Sequence, residues 1–282
     1  MANTIGIVGA GTMGSGIAQV AALAGYTVIL YDIEQSAIEK GINTIYNNLA
    51  KGVEKKKLTE KDSEIAREQI STTNDLLRLK DATTVIEAVV ERLDIKQALL
   101  QRLDDILPHE SIIASNTSSL SITALGASTE RPDRVIGMHF FNPAHIMKLV
   151  EIVKGKETSH TTISRITSLT KEFGKLPVLA SDTPGFIVNR VARPFYGEAL
   201  RLLGEGVASV EEIDRIVKKS GGFKMGPFEL MDLIGIDVNL SVSRSVYEQY
   251  FHESRYRPHP IQQQMVDGNL LGRKTGKGFY EY

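Results

Sequence analysis

The stretch TIGIVGAGTMGSGIAQVAALAGYTVILYD, residues 4–32, decides the fold. Its apolar run Ile5-Gly6-Ile7-Val8 predicts a buried strand, and Gly9-Ala10-Gly11-Thr12-Met13-Gly14 supplies G-x-G-x-x-G between that strand and a helix, the context that a dinucleotide-binding turn requires. Gly9 permits the tight turn, Gly11 lets the backbone approach a pyrophosphate, and Gly14 lets the helix pack close to the strand. The amide N–H groups and positive dipole end of that helix attract phosphate. A second strand, 28–31, then ends at Asp32, where a carboxylate accepts ribose hydroxyls and repels a 2′-phosphate. The following Ile33-Glu34-Gln35 brings no arginine to neutralise such a phosphate, so NAD is expected over NADP. Glycines also mark ordinary strand-to-helix turns; here strand, helix, second strand and acid all fall in register.

Working outward, 282 residues exceed the usual size of one hydrophobic core and predict two domains. With 42% hydrophobic and 24% charged residues the composition is that of a soluble globular protein. A net charge of −1 gives no overall attraction to nucleic acid or to an anionic membrane. The absence of cysteine excludes disulfides, thiolate catalysis and thiolate-bound metals, and fits a reducing compartment. A first strand from Thr4 leaves no room for a signal peptide, so a cytoplasmic location is the default expectation. The most apolar window, 17–31, contains Gln19, Gly25 and Thr27 and reads as helix, turn and strand rather than as a membrane span.

After Asp32 a polar helical tract covers 36–69, with Ile38, Ile42, Ile45, Leu49 and Val53 forming one narrow apolar stripe. Its length predicts a helix-turn-helix excursion broken near Leu58-Thr59. The tip carries Lys51, Lys55, Lys56 and Lys57, which read either as a solvated face or as a meeting point for an anionic ligand beside the cofactor. Strands at 84–90, 112–115, 134–138, 149–153 and 177–179, with helices at 94–107 and 161–173, complete the pattern of a doubly wound Rossmann-type α/β sheet. At Ser181-Asp182-Thr183-Pro184-Gly185 the pattern changes, and helices alone are predicted at 186–203, from Ser209, from Gly226-Pro227 and at 237–251. The expected domains are therefore a dinucleotide-binding domain, 1–184, and an all-α domain, 185–282.

Ligands of open α/β sheets bind beyond the carboxyl ends of the strands. That rule selects 115–119, 139–143 and 87–91. Of the six histidines only His139 is expected directly after a strand, in an apolar setting. Glu151 shares a strand face with Leu149 and Val153, where a carboxylate is costly unless paired. His139 is its nearest plausible partner in sequence, and the pair reads either as a catalytic dyad, with the carboxylate fixing the imidazole tautomer, or as a structural pair. No metal is expected, because His139 and His145 lack helical i, i+4 spacing and no cysteine completes a site. There is also no G-x-S-x-G elbow and no Walker lysine motif.

Met138-His139-Phe140-Phe141-Asn142-Pro143, Ser115-Asn116-Thr117-Ser118-Ser119-Leu120 and 182–190, DTPGFIVNR, together resemble the L-3-hydroxyacyl-CoA dehydrogenase family, with the nearest likeness to its bacterial 3-hydroxybutyryl-CoA members. The likeness runs from Gly9 to the closing Leu271-Gly272-Arg273-Lys274-Thr275-Gly276-Lys277-Gly278-Phe279-Tyr280. It implies reversible hydride transfer between NAD and a short 3-hydroxyacyl-CoA, with His139 as acid/base, Glu151 orienting it, and Ser118 and Asn189 holding the substrate oxygen. The implied cofactor set is Gly9, Gly11, Thr12, Met13, Gly14, Asp32, Glu91, Lys96, Asn116, Ser118 and Asn142, and the implied coenzyme A contacts are Lys51 and Lys55. It also implies a homodimer formed through the C-terminal domain. His145 and Lys224 stand where the family commonly has proline, which bears on acyl-chain preference. Two other readings are a β-hydroxyacid dehydrogenase acting on a free acid, against which Asn189 stands in place of that family's lysine, and a catalytically idle NAD-binding protein.

Overall fold

A computed structural model describes residues 4–282. The chain divides into two compact units, one ending at Thr183 and the other running Pro184–Tyr282.

The first unit opens with β1 (Thr4–Val8), α1 (Thr12–Leu23) and β2 (Thr27–Tyr31). The polar tract forms α2 (Gln35–Glu54) and α3 (Glu60–Glu68), separated where Thr59 and Asp62 close a capping box. There follow β3 (Ile70–Thr73), β4 (Thr84–Glu87), α4 (Leu93–Ile106), β5 (Ile112–Ser115), α5 (Ile122–Gly126), β6 (Val135–Phe140), β7 (Leu149–Lys154), α6 (His160–Glu172) and β8 (Leu176–Ser181). The strands make one sheet in the order β3-β2-β1-β4-β5-β6-β7-β8. All neighbours are parallel except β6 and β7, which run antiparallel. The chain order reverses between β1 and β4, which opens the crevice where such sheets bind dinucleotides. Ile7, Leu30, Ile86, Phe140 and Ile152 from the strands pack with Ile17 and Ala18 of α1, Ile45 and Leu49 of α2, and Ile166 and Leu169 of α6 in a single buried cluster. Burying aliphatic side chains of this kind contributes roughly 1.5–3 kcal/mol each, and this holds the sheet rigid under the site.

The structure corrects several sequence expectations. β3, reading Ile-Ser-Thr-Thr at the sheet edge, is a strand that periodicity missed: both its central residues face solvent. The strand expected over 84–90 stops at Glu87, because the Glu87 carboxylate takes the Val89 N–H and turns the chain. β6 reaches Phe140 rather than ending at Met138, so His139 lies inside the strand and not after it; pairing with β7 carries the ladder through His139 and Phe140.

The second unit is helical: α7 (Val188–Gly204), α8 (Val210–Lys219), α9 (Pro227–Ile234), α10 (Ile236–Gln249) and α11 (Pro260–Asp267). The last of these was not predicted from sequence. Tyr196, Leu200, Ile213, Phe228, Met231 and Ile236 form the core of this unit. The buried Asp232 accepts the main-chain N–H groups of Phe279 and Tyr280, tying the chain end to α9. No helix among the described residues is long and apolar enough to cross a membrane.

Candidate active site

At the end of β1, Gly9 has φ +103°, and a Cβ there would stand 2.6 Å from the Ala88 carbonyl oxygen. A Cβ on Gly14 would overlap the Gly9 carbonyl oxygen, so α1 sits against the turn as only glycine allows. At Gly11 a Cβ would meet nothing within 4 Å, which leaves main chain facing open space at the start of α1. Gly11 is the N-cap and gives the helix no side-chain cap, so the amides at the start of the helix, at Thr12 and Met13, depend on another acceptor. Asp32, just past β2, accepts the Ala10 N–H on Oδ2 at 2.7 Å and the Glu34 N–H on Oδ1 at 3.1 Å. Each oxygen keeps a lone pair for a hydroxyl donor. An open approach to glycine main chain, uncapped helix amides and a fixed carboxylate one strand away together fit a dinucleotide pyrophosphate and ribose.

On the other side of the crevice, the carboxyl ends of β4, β5 and β6 gather most of the remaining residues singled out by sequence. Glu87, fully buried, accepts from Lys96 Nζ at 2.6 Å and from Ser115 Oγ at 2.6 Å. Lys96, also buried, lies 3.3 Å from Glu91. Glu91 Oε1 in turn accepts from Thr117 Oγ1 at 2.6 Å and the Ser118 N–H at 2.8 Å. Burial pushes the Glu91 carboxyl up, but the Lys96 charge and the hydrogen bonds from Thr117 and Ser118 outweigh it and hold it below the usual carboxylate range. Glu91 is therefore ionised at neutral pH. Asn116 Oδ1 accepts the Phe140 N–H at 2.8 Å, stitching the end of β5 to the end of β6.

His139 and Glu151 are directly opposite each other in the antiparallel β6–β7 ladder. Their side chains meet with Nδ1 2.7 Å from Oε2, both buried, at 7% and 1% side-chain exposure. A carboxylate so placed accepts a hydrogen bond from Nδ1–H, and in that tautomer the ring carries its lone pair on Nε2. Phe141 packs on the imidazole with ring centroids 4.5 Å apart. Asn142 follows, joined to Pro143 by a cis peptide bond. Beyond it Lys175 Nζ donates to the carbonyls of Ala144, at 2.6 Å, and Met147, at 2.8 Å, which fixes the loop carrying His145. Burial first, and the nearby Lys175 charge second, push the His145 imidazole below its usual range, toward the neutral form.

Lys51 and Lys55 are exposed at the end of α2, where a lysine in the last turn also offsets the helix dipole. Asn189 is the second residue of α7, its carbonyl accepting from Arg193 Nε at 3.3 Å. Sequence reasoning placed Glu87 only within a segment and gave it no role. Asp182 it read only as part of the boundary, yet its carboxylate takes the Ile122 and Thr123 N–H groups at the start of α5. Nothing in the pattern of either segment announces a buried acceptor. Among the described residues no group of three or more His, Asp or Glu side chains is arranged to hold a metal ion.

Residues 4–183 match the NAD binding domain of 3-hydroxyacyl-CoA dehydrogenase, and residues 185–282 match its C-terminal domain. Among similar proteins, 3-hydroxybutyryl-CoA dehydrogenase of Clostridioides difficile is 44% identical over 99% of both chains. The 3-hydroxyadipyl-CoA dehydrogenase of Escherichia coli is 46% identical over 99% of this chain, which spans 59% of that longer protein. The crystal structure of (S)-3-hydroxybutyryl-CoA dehydrogenase from Ralstonia eutropha superposes with a TM-score of 0.95 at 45% identity, covering 100% of this chain and 99% of the other. The glycine turn and the buried imidazole–carboxylate pair thus lie in a chain matched along its length, and the protein belongs to the 3-hydroxyacyl-CoA dehydrogenase family.

Proposed function

We propose that this protein interconverts a short-chain (3S)-3-hydroxyacyl-CoA and the corresponding 3-oxoacyl-CoA, with 3-hydroxybutyryl-CoA and acetoacetyl-CoA as its substrate pair. NAD, when bound, supplies the nicotinamide that accepts hydride from the substrate C3 or returns it. The buried His139–Glu151 pair, on the same sheet as the glycine turn, is the observation that carries this reading. In the oxidative direction Nε2 of His139 takes the proton of the 3-hydroxyl group. Glu151 keeps Nδ1–H in place and stabilises the imidazolium that forms. In the reductive direction the imidazolium returns the proton to the substrate oxygen. Ser118 and Asn189 donate hydrogen bonds to that oxygen as charge develops on it. Lys51 and Lys55 meet the phosphates of coenzyme A. The second unit serves substrate binding and a homodimer contact, for which Leu233, Ile234 and Val238, each more than 40% exposed, offer apolar surface.

The test is reduction of acetoacetyl-CoA at saturating NADH, in wild-type protein and in H139Q. Wild-type protein turns over, and the variant loses about 10²–10⁴ in kcat, the range for a positioned general acid/base. A variant that keeps more than about a tenth of the rate is incompatible with that role.

A further inference from the structure

Glu87 is the last residue of β4 and pairs in register with Ser115, the last residue of β5. Its carboxylate is fully buried, and three donors converge on it: the Val89 N–H at 2.7 Å, Lys96 Nζ at 2.6 Å and Ser115 Oγ at 2.6 Å. Lys96 is equally enclosed, at 1% side-chain exposure, and also faces Glu91 Oε2 at 3.3 Å and the Val89 carbonyl at 3.4 Å. One carboxylate would suffice to neutralise this lysine. The structure supplies two, and the second spends its other oxygen outside the pair. Glu91 Oε1 receives Thr117 Oγ1, the Ser118 N–H and the Ser118 hydroxyl at 2.6, 2.8 and 3.2 Å, and the Ser119 N–H at 3.2 Å.

A buried ion pair of this kind is weak support for stability, since apolar side chains of equal volume often serve a core as well or better. Its geometry has a different consequence. Lys96 is held by Glu87 at a fixed point below Glu91, and the lysine charge keeps Glu91 ionised as acceptor for the turn that carries Ser118.

We propose that Glu87 is a positioning residue, which acts through Lys96 and Glu91 to fix the 117–119 turn and with it the Ser118 hydroxyl. The importance of that turn for turnover rests on the reaction proposed above. The hold on the turn itself does not.

Four variants test it: E87Q, E87Q/K96M, E91Q and E87Q/K96M/E91Q. E87Q keeps size and an acceptor for Val89 and Lys96, so it guards against loss of folding in the double variant. In E87Q/K96M, hydrogen exchange followed by mass spectrometry is expected to be about tenfold faster over 115–121 and unchanged over 4–8 and 27–31. The kcat for acetoacetyl-CoA reduction falls by at least about tenfold in E87Q/K96M and in E91Q; in E87Q, which changes no residue of the implied cofactor set, kcat falls by at least about threefold while the KM for NADH stays within about threefold. Adding E91Q to the double variant costs nothing further, because residues acting in one chain are non-additive. Wild-type exchange over 115–121 in E87Q/K96M, or in E87Q where the double variant does not fold, overturns the proposal, as does a triple-variant loss equal to the product of the separate losses. A wild-type protein that fails to reduce acetoacetyl-CoA overturns the reaction reading, and the exchange comparison then decides whether Glu87 holds the turn.

Discussion

Asp32 holds the fold at the glycine turn, and the ligand choice proposed for it can be tested on the same side chain. Its two oxygens hold the Ala10 and Glu34 amides and fix the carboxylate; if the ribose lies there as expected, the charge would disfavour a 2′-phosphate. D32N keeps an acceptor for the main chain and removes the charge. The variant is expected to narrow the NADH-over-NADPH preference by about tenfold, equivalent to ~1.4 kcal/mol, in fluorescence titrations of both cofactors. An unchanged ratio would remove Asp32 from cofactor selection. The acid was legible because it ends a strand that follows a glycine turn. The His139–Glu151 pair was legible for a different reason: an acid on an apolar strand face needs a partner, and His139, in an apolar setting of its own, was the plausible one. Their contact depends on the antiparallel register, which sequence did not state. Glu87 was illegible as an anchor, because its partners Lys96 and Ser115 come from a later helix and a later strand, Ser115 brought to it by the parallel pairing of β4 with β5 and Lys96 by α4.

Among the elements, β1, α1 and β2 were readable because their signals are local: apolar runs, glycines at fixed offsets and a terminal acid. The break between α2 and α3 was equally local, since Thr59 and Asp62 form a capping box. β3 and α5 were not, the first because a polar edge strand lacks apolar alternation, the second because five residues give no period. The contact between α1 and the glycine turn makes the sharpest prediction at this scale. In G14A the methyl group collides with the Gly9 carbonyl, which belongs to the rigid turn at the end of β1 and cannot rotate aside. The helix must shift outward, at an expected loss of about 2–3 kcal/mol in urea unfolding, and the amides at its start move with it. NADH affinity therefore falls by more than the loss of stability alone explains at temperatures where the variant is fully folded. A G14A protein with wild-type stability would show that the close packing is unimportant.

For the molecule as a whole, the division into two compact units makes their stabilities separable by experiment. The residues that fit the pyrophosphate and ribose belong to the first unit, and their support comes from β1, β2, α1 and the core beneath them. The second unit has its own core, and its chain end is part of it. Phe279 meets Phe228 edge-on with centroids 4.7 Å apart, Tyr280 hydroxyl donates to Asp214 at 2.9 Å, and Tyr282 hydroxyl donates to Asp232 at 3.2 Å. Deleting residues 279–282 removes a half-buried aromatic packed against the core and strips the buried Asp232 of the two main-chain donors and one hydroxyl that satisfy it. Losing a fully buried phenylalanine costs about 3–5 kcal/mol; Phe279 is half-buried, and its share of that together with an unsatisfied buried carboxylate comes to more than about 2 kcal/mol. In a unit of about 100 residues this corresponds to a fall of more than about 10 °C in its unfolding temperature. Scanning calorimetry with and without NAD identifies the units, because a ligand raises only the transition of the part that binds it. The truncated protein should keep the NAD-responsive transition, and an NAD affinity within about threefold of wild type, while the other transition drops. A single transition that moves as one body would instead mean that the helical unit and the sheet unfold together, and that the cofactor site draws its stability from both.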